Sequence, residues 1–154
     1  MLEDEPEAAQ VLEAARSTMR YAVRQTAMRG PPLEQGDALI DYLTMTMAHE
    51  PRELFRVLYL DARLWLIRDE MLGMGTIREA PAYPREIFRR AFELKAAAMI
   101  LVHSHPSGDP RPSKADLDLT RRLMAIAAEV DVPIKDHLVV TRSGWLSFKA
   151  EGLL

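Results

Sequence analysis

Residues 96–116 read AAAMILVHSHPSGDPRPSKAD, and this stretch decides the fold. Ala96 to Val102 is a short apolar run with no polar face, which predicts a central strand covered on both sides. His103 and His105 follow at its end. A strand repeats every two residues, so both imidazoles fall on one face. The next residues, HPSGDPRP, form a polar loop whose prolines fix φ and leave it few shapes. A helix is predicted from about Ser113 to Glu129, with Ser113 at its N-cap and Asp116 in its first turn. A carboxylate there can reach back toward the histidines. Two neutral imidazoles and a carboxylate form a zinc-type donor set that leaves a fourth position for water, the pattern of a catalytic site. Zinc brings the pKa of such a water to about 7, and a nearby carboxylate that is not a ligand can take its proton. Plainer readings exist for each part. Two histidines at i, i+2 arise by chance, and Ser113-x-x-Asp116 is also a capping box. Taken together, the groups fall on a strand end, a loop and a helix start, where sites are built.

Working outward, residues 7–29 show helical spacing through Ala8, Val11, Leu12, Ala15, Met19, Ala22 and Val23, ended by Gly30-Pro31-Pro32. A second helix is predicted from Gly36 to about Met47, ended by Glu50-Pro51. Leu54 to Leu60 and Leu64 to about Met74 read as two strands of a hairpin joined by Asp61-Ala62-Arg63. Pro84 opens a third helix whose buried side is Ile87, Phe88, Ala91, Phe92 and Leu94. After the fourth helix, Ile134 to Thr141 and Trp145 to Phe148 form a final pair joined by Arg142-Ser143-Gly144. The order α-α-β-β-α-β-α-β-β predicts an α/β sandwich with a mixed sheet. Residues 1–50 read as a helical lead-in and residues 51–154 as the main domain. His49 reads as a solvated surface residue. His137, after Asp136 at a strand start, reads better as a structural histidine than as a group supporting the site.

The chain has 154 residues, the size of one domain, and is 48% hydrophobic and 28% charged, which excludes a disordered or fibrous class. It has no cysteine, so neither disulfides nor thiolate chemistry are available. No apolar run has the ~18 residues of a membrane span, and the acidic start MLEDEPEAAQ is unlike a secretory signal. A cytoplasmic location is expected. The net charge of −3 argues against a strong, nonspecific grip on nucleic acid. Arg85, Arg89 and Arg90, and Arg121 with Arg122, are local basic clusters that read as solvated helix faces.

His103-x-His105, seven residues, Ser113, two residues, Asp116 is the signature of JAMM (MPN) metalloproteases, matched without a gap. HSHPSGDPRPSKADLDLTRRL, YPREIFRRAFELKAAAMILV, DHLVV and SFKAEGLL narrow the resemblance to the bacterial RadC family, over roughly residues 50–154. RadC-like proteins usually carry Asn where this chain has Ser104. The resemblance implies a cytidine-deaminase-like (JAMM/MPN) sandwich that hydrolyses a peptide or isopeptide bond. It implies Zn²⁺ on His103, His105 and Asp116, Ser113 as a donor to the oxyanion, and a glutamate shortly before a Gly-Thr pair as general base. Spacing to Gly75-Thr76 makes that glutamate Glu70, with the neighbouring Asp69 on the opposite side of the strand. The expected partner is a protein or peptide substrate. The family's association with DNA repair supplies an alternative, a factor acting on or near nucleic acid. That role is weakened by the acidic charge and by the lack of a helix-hairpin-helix signal in residues 1–50. A noncatalytic scaffold fits least, because the ligand set is complete.

Overall fold

The computed structural model describes residues 5–74 and 83–154, so the Gly75-Thr76 pair lies outside the described residues. The helices are α1 (Glu5–Ala27), α2 (Asp37–Met47), α3 (Pro84–Glu93) and α4 (Lys114–Glu129), with a 3₁₀ turn at Pro32–Gln35. The strands are β1 (Leu54–Leu60), β2 (Leu66–Met74), β3 (Ala98–Ser104), β4 (Ile134–Val140) and β5 (Trp145–Ser147). They form one mixed sheet in the order β2-β1-β3-β4-β5. β3 is its middle strand, antiparallel to β1 and parallel to β4, with α4 making the crossover between β3 and β4.

Apolar side chains at alternate positions of β1 and β3 face opposite ways, so the sheet carries a core on each side. Phe55, Val57, Tyr59, Met99 and Leu101 pack with Ile87, Phe88 and Ala91 of α3 and with Leu123 and Ala127 of α4. Leu54, Leu58, Leu60, Ile100 and Val102 pack on the other face with Ala27, Leu39, Leu43 and Met47 from α1 and α2. Helix α2, from within residues 1–50, is therefore part of the sheet's own core. Residues 6–19 of α1 are exposed.

Two strand starts differ from the sequence expectation for the same reason, an apolar residue recruited into a turn. The run Ala96–Val102 predicts a strand from Ala96, but Lys95 has φ 53° and the Ala96 N–H donates to the Ala91 carbonyl, closing the end of α3. β3 therefore runs 98–104 and contains His103. In the β1–β2 hairpin Leu64 has φ 63°, and the Asp61 carboxylate accepts from the Arg63 and Trp65 N–H groups, so β2 starts at Leu66.

Leu101 is fully buried in the strand that ends at the histidines. Leu101→Ala is expected to lower unfolding stability by about 2–5 kcal/mol, read from a urea midpoint at unchanged slope.

Candidate metal site

β3 ends where α4 begins, and this meeting builds the site. His103 lies opposite Phe55 on β1 and Val139 on β4, on the face covered by α3 and α4. His105 is one residue past the strand, held by its N–H donating to the Val140 carbonyl. Its Nδ1 lies 2.9 Å from the Asp109 carbonyl oxygen, which ties the ring to the proline loop. The two imidazole centroids are 4.7 Å apart and nearly perpendicular.

Asp116 arrives from the first turn of α4. Ser113 and Asp116 form a capping box: the Ser113 hydroxyl accepts from the Asp116 N–H, and the Asp116 carboxylate accepts from the Ser113 N–H at 2.7 Å. The same carboxylate sits against both histidines, at 2.9 Å from His103 Nδ1 and 3.2 Å from His105 Nε2. Capping and contact with the histidines are thus one arrangement. The hydroxyl of Ser113 spends a lone pair on the cap and keeps its own hydrogen free to donate.

The carboxylate found beside the histidines is Glu53, immediately before β1, with Oε2 3.5 Å from His103 Nε2. Glu53, His103 and His105 each offer a ligand atom within 4.8 Å of the others, so the cluster could hold a metal ion. Glu70 is elsewhere. It faces the same side of the sheet as His103, but its register partner is Val57, opposite Leu101. That puts it two strands across, about 10 Å, and two residues down, about 7 Å. There it binds the Arg90 guanidinium through both oxygens, at 2.6 to 3.0 Å. Alternation does send Asp69 to the opposite face, where it pairs with Arg56 and the Tyr42 hydroxyl. Sequence spacing along β2 cannot register its distance from β3. The available signal for Glu53 was a carboxylate at the mouth of the largely apolar strand LFRVLYL.

A metal ion fits these residues. His103 Nδ1 and Asp116 Oδ1 are buried and close, yet their approach lacks hydrogen-bond geometry and neither has a partner. Buried polar atoms are normally satisfied, and two convergent orphans of donor type are what a cation would complete. Electrostatics agree. Burial pulls the His103 imidazole down, but the Asp116 and Glu53 carboxylates outweigh it and raise it to about 9. His105 is raised too, burial opposing and the Asp116 carboxylate and the Asp109 carbonyl prevailing. Burial pushes Asp116 up, yet the two imidazoles and the Ser113 N–H hold it well below the usual carboxylate range.

His137 lies behind the site, fully buried and stacked on Phe148 at 4.3 Å. Thr120 joins it to α4: the hydroxyl donates to the Asp116 carbonyl and meets His137 Nδ1 at 2.7 Å, while Nε2 has no partner. Burial, then the charge of His103, depress His137 to about 3. His49 is exposed.

A mixed α/β domain with His-x-His at a central strand's end, answered by a capped aspartate on the following helix, defines a candidate metal-site domain. The profile of the RadC-like JAB domain matches residues 33–153, and the chain belongs to that family. It is 46% identical over 144 residues to the UPF0758 protein SPO0054 of Ruegeria pomeroyi. It is 45% identical over 145 residues to a UPF0758 protein of Rhodobacter capsulatus. Both alignments take in 94% of this chain, but 63% and 68% of the relatives, so the chain spans about two thirds of their length.

The pKa directions set a pH profile for the metal-free protein. His103 is raised above its unfolded value near 6.5, so its contribution is full below 6.5 and is lost as pH rises toward 9. His137 is depressed, so its contribution is full above 6.5 and is lost as pH falls toward 3. The urea midpoint in chelator should therefore peak near pH 6.5. His103→Ala should flatten the alkaline limb and make the acid limb shallower, because the His103 charge also helps to depress His137 and Asp116.

Proposed function

We propose that this domain is a zinc-dependent hydrolase that cleaves a peptide or isopeptide bond, with His103, His105 and Asp116 holding the metal. The observation that carries the reading is the fully buried Asp116 carboxylate against both imidazoles, with the partly exposed Glu53 on the other side of His103. Two imidazoles and a carboxylate, with no thiol in the chain, suit zinc. When bound, the ion would supply Lewis acidity to a carbonyl oxygen and lower the pKa of water in the site.

The chain's own groups do the rest. Glu53 is 30% exposed, so it can meet both solvent and substrate. It takes a proton from the attacking water and passes it to the leaving amine. Ser113, with its hydroxyl hydrogen free, donates to the carbonyl oxygen as charge develops there. His103 and Asp116 are almost wholly buried and keep their orientation, so little is reorganised during reaction. The arginine clusters give little support to a nucleic-acid role. Arg89 and Arg90 are engaged by Glu86, Glu93 and Glu70, and Arg121 by Asp118.

Elemental analysis of purified protein tests the ligand set. Near-stoichiometric zinc is expected in the wild type and in Glu53→Gln, and loss is expected in His103→Ala/His105→Ala. No uptake by the wild type from added zinc would sink the reading. On any peptide or isopeptide substrate found by screening, Glu53→Gln should lower kcat by about 10²–10⁴-fold. Glu70→Gln should stay within a few fold, since its carboxylate is committed to Arg90.

A further inference from the structure

The residue between the two histidines has a separate job. Ser104 is buried, and as the neighbour of His103 on a strand it points away from the histidine face. The β1–β3 register runs from Leu60–Ala98 to Phe55–His103. The next pair in line is Leu54 with Ser104, and there the hydroxyl of Ser104 takes over from the backbone. Its Oγ accepts the Leu54 N–H at 2.9 Å in a buried bond between residues 50 apart in sequence. That N–H belongs to the peptide joining Glu53 to Leu54. Glu53 itself lies outside regular structure, after the bend at Pro51-Arg52. Nothing in the strand ladder with β3 fixes its backbone except what happens at this peptide.

We propose that Ser104 is a positioning residue for Glu53: it holds the 53–54 peptide at the end of β3, so the strand residue next to His103 sets where the Glu53 carboxylate stands. The inference rests on the reading of Glu53 as the group beside the metal. A side-chain acceptor achieves what a carbonyl could not. It ends the ladder at a fixed point and lets the chain before Leu54 turn toward the histidine face.

The test uses the full chain loaded with Co²⁺, whose visible spectrum follows ionisation of water at the metal as pH is raised. In Glu53→Gln the midpoint should fall by about one pH unit, because a negative charge no longer opposes loss of the proton. Ser104→Ala should fall at least half as far with Co²⁺ affinity within a few fold of wild type, and Ser104→Thr, which keeps the hydroxyl, should restore the midpoint. A shift in Glu53→Gln with none in Ser104→Ala overturns the inference and leaves the proposed base intact. No shift in Glu53→Gln overturns the reading of Glu53 itself. If Ser104→Ala does not fold, Ser104→Thr and the isosteric Ser104→Val give the same comparison. In the unsubstituted protein the Leu54 amide must be protected from hydrogen exchange at least 10²-fold relative to a free amide; free exchange there also overturns the proposal.

Discussion

The structure turns on one buried charge. Asp116 has no solvent exposure, and an isolated carboxylate in such a place would be costly. It is tolerated because three groups converge on it: the Ser113 N–H and the imidazoles of His103 and His105. This compensation joins the end of β3 to the start of α4. The proline loop between them need only return the chain to that point, and the Asp109 carbonyl and Gly108 fix its path on the way. Gly108 has φ 86°, and a Cβ there would come within 3.3 Å of the Ser143 hydroxyl, which donates to the Gly108 carbonyl.

The polar interior behind the site follows from the same constraint. Thr120 ties the first turn of α4 to His137 on β4, and His137 rests on Phe148. Phe148 is placed in turn by Asp136, whose carboxylate accepts from the His137 and Lys149 N–H groups and the Ser147 hydroxyl. A depressed, neutral His137 adds no positive charge beside His103, so the cation preference of the Asp116 pocket is not opposed from behind. The DHLVV stretch that looked like a family label is thus a chain of contacts ending at the aspartate.

What was legible in the sequence was local. His103 and His105 needed only the period of a strand, and Ser113 and Asp116 only the geometry of a helix start; the structure brings all four together. The mixed sheet and its helices followed from the apolar runs and their breakers. What was not legible depended on pairing across the sheet. Glu53 reaches His103 because Phe55 pairs with His103, a register between residues 48 positions apart that no periodicity encodes. Glu70 shares the His103 face but lies far from it, because β2 lies beyond β1 in the sheet order, and spacing along β2 does not carry that distance. The ends of β3 and β2 moved for a smaller reason: Lys95 and Leu64 take left-handed turns without the glycine that would have announced them.

The outcome for the two glutamates shows how competing partners sort carboxylates. Glu70 has an arginine within reach on α3 and is bound by it through both oxygens. Glu53 makes no ion pair with Lys or Arg among the described residues; the basic group it meets is His103, which must give up its proton to hold a metal. Once the histidine is neutral, Glu53 is left as a partly exposed carboxylate beside the candidate metal ligands, without a salt-bridge partner among the described residues. The sheet therefore sorts the two carboxylates by position alone, one paired to arginine on the outer hairpin strand and one beside His103 at the mouth of the strand next to β3.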